Sequence, residues 1–306
     1  MNDARPEPRR HFRGLLYAGA TALLWGVLAI VLKHSLRIAG VETIVCFRFL
    51  CAFAVLGAGL AARRPARLRI LRRPPWLGIL AAALLAANYR FYFRGVELAG
   101  ANSAQVLIQT APLLFALIGI LFFREALTRR QRLGFAVAVA GFVLFYRDRV
   151  ALQAADMRGL VAILVAAVTW ALWATLQKAL THKGFAPQAL NLLTYGIAAV
   201  LLFPFADFTE LSGVDTAGWL VLGFLGLNTL LAYGALGEAL KDAPANQVSM
   251  IITLNPILTL AVMALLDALE VEWVDPEPVS AMGYAGAAAL VTGVALVVGR
   301  RPKYRV

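Results

Sequence analysis

Of 306 residues, 61% are hydrophobic and only 15% charged, with a mean hydropathy of +0.75; this balance excludes an ordinary soluble domain. The net charge of +12 would suit nucleic acid. The basic residues instead lie in short segments between apolar runs, which excludes that partner and points to a bilayer.

Ten apolar stretches approach the roughly 20 residues needed to cross a membrane as a helix. The first, 13–33, follows a basic tail with Arg5, Arg9, Arg10 and Arg13. No small-residue cleavage site follows it, so it is read as a retained helix rather than a signal peptide. The second, 41–62, holds the two cysteines, Cys46 and Cys51. Their spacing points them to different sides of a helix, so no disulfide, metal site or redox role is expected. The third, 75–95, contains NYRFYFR, with Arg90 and Arg94 among aromatic rings. The fourth, 101–123, carries Pro112 near mid-span, where proline removes a backbone donor and frees the carbonyl of Ile108. The fifth is 131–147. A linker at 148–157 leads to 158–179, 187–205, 216–238, 245–267 and 280–299, and Pro256 in the ninth repeats the placement of Pro112 and frees Ile252.

Counting loops from the first helix, one side of the membrane receives 21 of the 29 Lys and Arg residues. The other side ends in two acidic loops (Asp207, Glu210, Asp215; Glu270, Glu272, Asp275, Glu277). By the positive-inside rule both termini are cytoplasmic. Short loops and the absent targeting peptide suggest a bacterial inner (plasma) membrane, and the lipid bilayer is the first expected partner.

A shift of 144 or 145 residues superimposes unusual residues on their own kind. Gly14 falls on Gly159, Trp25 on Trp170, Lys33 on Lys178, Gly40 on Gly184, Tyr89 on Tyr233, Asn102 on Asn246 and Pro112 on Pro256. Each half holds five spans. Because five is odd, the second half enters from the opposite side, and inverted repeats are a hallmark of secondary transporters. The expected fold is therefore all-α and integral to the membrane: ten transmembrane helices in two inverted five-helix repeats, 13–147 and 158–299. Basic cytoplasmic tails at 1–12 and 300–306 flank them, and 148–157 is a periplasmic linker.

The W-G of TALLWGVLAIVLKHSL, the FRF of VCFRFLCAF, the run GVELAGANSAQVLIQTAPLLFALIGILFFREALTRRQRLGFAVAVAGFVL and its echo DAPANQVSMIITLNPILTLAVMALLDAL resemble the two EamA-type units of the drug/metabolite transporter superfamily. The resemblance covers nearly the whole chain and includes the proline, the acid-containing helix end and the following G-x6-G helix (Gly134, Gly141; Gly286, Gly293). It implies ten helices and export or exchange of small metabolites. The second acidic helix end departs from the pattern, reading LLDALEV where the first reads FFREALT.

Ionisable groups inside a span are costly and mark functional sites by default. Arg48 and Arg90 fall at similar depth in spans 2 and 3 and map by the repeat onto Leu192 and Gly234, so neither is an architectural pair. A guanidinium fork suits a carboxylate or phosphate; Arg90 is the first candidate for such a group and Arg48 the second, although the EamA pattern itself often carries arginine there. Trp25, Tyr89, Trp170 and Tyr233 are candidate walls, and Gln105, Gln109 and Asn255 candidate hydrogen-bonding groups. Packing alone is the competing account of the aromatics. Glu97 and Glu238 are the acids nearest the membrane interior and the candidates for ion coupling. No cofactor, metal or ATP-binding motif is expected.

The small residues of spans 5 and 10 allow close contact either within the chain or in a homodimer. Taken together these features predict a secondary transporter, exporting or exchanging a small organic metabolite, amino-acid-like or anionic. A passive channel or lipid flippase is the alternative. An integral membrane enzyme is disfavoured, because His11, His34 and His182 lie at ends or tails and no hydrolase motif is present.

Overall fold

With no water in the hydrocarbon core, a spanning chain must satisfy its backbone polar groups internally, and every described element here is a helix. The computed structural model describes residues 8–99, 104, 107–122, 127–150, 157–269 and 280–298. In order the helices are α1 (Pro8–Ser35), α2 (Val41–Arg63), the short α3 (Arg69–Arg72), α4 (Trp76–Ala99), α5 (Thr110–Phe122), α6 (Arg129–Val150), α7 (Met157–His182), α8 (Pro187–Leu202), α9 (Thr216–Asp242), α10 (Ala245–Ile252), α11 (Asn255–Ala268) and α12 (Ala281–Val298). Among the described residues six, namely α1, α2, α4, α7, α8 and α9, are long and apolar enough to cross a membrane, and α5 and α12 are shorter apolar helices. The chain is an all-helical integral membrane protein.

Most of the predicted stretches coincide with helices to within a few residues; in 101–123 the continuous described helix begins only at Thr110, and a break of the helix accompanies Pro256 as its chemistry leads one to expect. The stretch 245–267 is not continuous. It breaks at Thr253 and Leu254, after Ile252 and before Pro256, as a freed carbonyl at 252 requires. A matching turn at Ile108 and Gln109 precedes Pro112.

Helix ends are set by local chemistry. Asp215 caps α9 by accepting from the N–H of Gly218 at 2.8 Å. Gly184 ends α7 with φ of +92°, while Phe185 N–H returns to the Leu180 carbonyl at 3.2 Å, a closure that needs the left-handed conformation glycine adopts freely. The start of α2 is completed from far away in sequence. Glu210, in the 3-10 segment Phe208–Gly213, accepts from Gly40 N–H at 2.8 Å, and Thr43 Oγ1 exchanges hydrogen bonds with the backbone of Asp207 at 3.0 and 3.2 Å. The Thr209 hydroxyl, and then the Thr209 backbone N–H, hold the Asp207 carboxyl below its ordinary value. Because the Glu210 charge also faces the positive end of α2, Glu210→Ala is expected to destabilise the fold by about 0.5–1 kcal/mol; a thermal melt in detergent, compared at low and high salt, checks it.

Helices from the two halves interleave. α1 packs on α9, α10 and α11; α4 packs on α7 and α8; α2 packs on α8 and α9; α5 packs on α7 and α10; and α6 packs on α12. The last contact brings backbone close against backbone. A Cβ at Gly141 would stand 2.4 Å from Leu290 N and 2.7 Å from Gly286 O, and one at Gly293 2.6 Å from Gly134 O. The small residues of the fifth and tenth stretches thus meet each other within the chain.

Candidate functional site

Interleaving leaves a cavity of about 120 Å³ in the core, walled by α1, α2, α4, α5, α7, α9 and the α10–α11 break. Its aromatic side is a connected cluster. Trp25 lies 5.9 Å from Trp170 and 5.4 Å from Tyr233, centroid to centroid, and Phe115 packs edge-on to Trp170 at 6.1 Å. Such edge-to-face contacts fix ring orientation as well as burying apolar area.

Arg48, the eighth residue of α2, about 10 Å along the helix from its start, also lines the cavity. Its side chain is buried, at 2% exposure. Nε donates to Thr229 Oγ1 at 3.0 Å, Nη2 reaches the Tyr89 hydroxyl at 3.5 Å, and the guanidinium carbon stands 5.4 Å from the Tyr89 ring centre. Among the described residues no carboxylate pairs with it, and Nη1 has no hydrogen-bond partner. Thr229 is held in turn by its own bond to the Leu225 carbonyl at 2.9 Å. Tyr89 is fixed by an edge contact with Phe49 at 4.8 Å.

Of the residues singled out in the sequence, Trp25, Arg48, Tyr89, Gln109, Pro112, Trp170, Tyr233 and Asn255 line this one cavity. Gln105 and the Glu97 side chain lie outside the described residues, and Pro256 is placed on α11 by its backbone only. Arg90 is elsewhere: it is exposed and stacks on Phe205, its guanidinium carbon 3.8 Å from the ring centre. The guanidinium in the cavity is therefore Arg48.

Glu238 also lies away from the cavity, in a polar group joining α8 and α9 to the α2–α4 connection. It accepts from Gln188, which in turn accepts from Arg67 Nη1 at 2.6 Å, and it pairs with Lys241 at 3.5 Å. Partial burial and the neighbouring Arg64 lower the Arg67 pKa.

One polar wall residue, Asn88, and one residue behind the wall, Thr229, were not foreseen. Asn88 donates to the Ala166 carbonyl at 2.8 Å and ties α4 to α7 beside the cavity. Thr229 anchors Arg48; the polar pair Asn228-Thr229 in the largely apolar run LNTLLAYG, with Thr229 mapping by the repeat onto Leu85, was the available signal.

Comparison with known proteins agrees with this architecture. The EamA-like transporter family profile matches twice, over residues 12–147 and 157–299. An uncharacterized inner membrane transporter of Escherichia coli K12, YhbE, is 33% identical over 287 residues, covering 92% of this chain and 89% of its own. An uncharacterized transporter of Haemophilus influenzae is 29% identical over 251 residues, covering 81% and 82%. A solved crystal structure superimposes with a TM-score of 0.73 at 20% identity, covering 94% of this chain and 96% of that one, which shows the shared fold. With both halves matched by one profile and a relative one-third identical along most of its length, this multi-pass inner-membrane protein belongs to the EamA-like transporter family.

Proposed function

We propose that the protein is a secondary carrier for a small organic metabolite bearing a carboxylate or similar anionic group, moved by alternating access between two inverted five-helix repeats. The observation that carries the substrate class is Arg48. A buried guanidinium normally needs an anion, because the interior replaces its hydration poorly. Here the cation meets two hydroxyls, a ring and the cavity. A solute carboxylate would supply the missing partner through the unspent Nη groups. The volume of about 120 Å³ falls below the roughly 300 Å³ of a drug-sized pocket, which favours a compact solute or a compact charged head.

Two observations support the repeat mechanism. The family profile matches each half separately. The helix contacts also exchange in pairs when the halves are exchanged: α1 on α9 becomes α7 on α4, α2 on α9 becomes α8 on α4, and α6 on α12 maps onto itself. Polar ties follow the same rule. Thr21 Oγ1 donates to the Ala232 carbonyl at 3.2 Å, and Asn88 Nδ2 to the Ala166 carbonyl at 2.8 Å, so the same crossing is bonded twice with the donor on different helices. A duplicated frame of this kind supplies two mirror-related states of similar energy. The charge distribution of the loops favours both termini on the cytoplasmic side.

Purified protein should be stabilised by organic acids or carboxylate-bearing metabolites in a thermal-shift screen that also includes phosphorylated compounds and cationic drugs. A single-site ligand at 100 times its Kd adds about 2.7 kcal/mol. The same solute should then show saturable counterflow in proteoliposomes. Stabilisation by cations alone overturns the anion reading; solute flux without saturation makes the protein a channel, and movement of labelled lipid makes it a flippase.

A further inference from the structure

The cavity borders α10 and α11 through Ile252 and Asn255, and beyond them α10 runs toward the end of the bundle where α1 begins. α10 is enclosed: seven of its eight residues are buried, and α1, α5, α9 and α12 pack around it. Yet it is polar. Gln247 Nε2 and Ser249 Oγ, together with Asn255 Oδ1 at the start of α11, have no hydrogen-bond partner among the described residues. A packed helix gains nothing by burying such groups unmet; they fit a helix that is wetted, or touched by solute, in another conformation.

The end of this polar track is closed by two contacts from α1. Arg13 Nη2 and Nε bond Asp242 Oδ2 at 2.7 and 3.0 Å, and His11 Nε2 lies 2.6 Å from Gln247 Oε1. Asp242 is the last residue of α9, its side chain only 5% exposed, while Arg13 is about half exposed. Gly14 brings α1 against the same corner: a Cβ there would lie 2.8 Å from that of Ala243. The repeat-related corner has the equivalent contact of Gly159 with Ala99 at 2.7 Å, but Leu98 stands where Asp242 would be. The carboxylate has been placed at one corner and not at its counterpart.

We propose that the pairs Arg13–Asp242 and His11–Gln247 form a latch over a passage from the cavity, which runs along α10 past Ser249 and Gln247 to the side carrying residue 13. This rests on the carrier reading, in which the cavity must open to both sides in turn. The polar atoms of α10 then line the passage when the latch is broken, and the described conformation is the latched one.

The test uses accessibility and requires no solute. In a full-length Cys46→Ala, Cys51→Ala background, Ser249→Cys is the reporter, labelled with a membrane-impermeant maleimide in right-side-out and everted vesicles. The reporter is expected to be shielded from both sides with the latch intact. Adding Arg13→Ala and His11→Ala should raise the labelling rate about tenfold or more from the residue-13 side only. The exchanged pair Arg13→Asp with Asp242→Arg should restore shielding. Should the double variant fail to reach the membrane, Asp242→Asn, which keeps the volume and removes the charge, takes its place with the same expectation. Unchanged labelling, a rise from the opposite side, or exposure that persists in the exchanged pair overturns the latch. Counterflow measured separately tests the carrier reading, so either can fail without the other.

Discussion

Arg48→Ala is expected to abolish solute recognition while leaving the fold as stable as before, or more so. Truncating one partner of a buried, hydrogen-bonded charge pair costs about 2–5 kcal/mol of binding, which is roughly 30-fold to several thousandfold in Kd. Stability should move the other way, because in the unliganded protein this guanidinium is buried without a carboxylate among the described residues. Removing it relieves a desolvation cost rather than breaking an ion pair. An arginine serving only to anchor α2 through Thr229 would give the opposite signature, a lower melting temperature with solute binding retained. Arg48→Lys should recover only part of the affinity, since a single ammonium cannot reproduce the fork that bonds Thr229 on one edge and faces the cavity on the other. Arg90→Ala is the control. It removes a stack on Phe205 worth about 0.5–1 kcal/mol at an exposed site and should leave the Kd unchanged. Melting curves with and without solute for all three variants decide the matter.

The second large effect concerns the contact between α6 and α12. Gly141→Ala would drive a methyl to 2.4 Å from a backbone nitrogen and 2.7 Å from a carbonyl oxygen. Backbone atoms of a paired helix cannot swing aside as a side chain can, so the helices must separate along the line that Gly134 and Gly293 share. Overpacking of this kind costs about 1–3 kcal/mol for one added group, and Gly141→Leu should prevent accumulation in the membrane altogether. Gly19→Ala is the counterpart within α1. Nothing lies within 4 Å of its added Cβ, and alanine is favoured over glycine in a helix interior by up to about 1 kcal/mol, so it should be neutral or stabilising. Membrane yield and thermal melting of the two alanine variants separate the cases.

These two sites also show what could be read from the chain beforehand. Spans followed from length and apolarity, and the repeat marked Trp25 and Trp170, and Tyr89 and Tyr233, as equivalent positions, all four of which line the cavity. The rotation of each helix was less legible. α4 is apolar around much of its circumference, so periodicity showed that Arg90 and Arg94 share a face but not what that face meets. The answer lies in Phe205, at the end of a short 3-10 turn after α8 that no pattern marked. Arg48 falls on a helix as expected, but its environment depends on Thr229, 181 residues away. Long-range side-chain partners of this kind have no local signature. The break between α10 and α11 was legible, because proline chemistry is local.

That separation has a consequence for the order in which the molecule is made. At roughly 5–20 residues per second of synthesis, Arg48 emerges some 10–40 seconds before the residue that will hold it. During this interval α2 must stay in the bilayer carrying an unsatisfied cation, at a cost of about 2.5–3.5 kcal/mol if near its centre. Its neighbours in VETIVCFRFLCAFAVLGAGL are almost all apolar, a surplus of hydrophobicity that carries the arginine across the wait. The same delay applies to the start of α2, whose Glu210 partner arrives 170 residues after Gly40. The first half of the chain thus enters the membrane provisionally and takes its final form only as the second half threads in beside it.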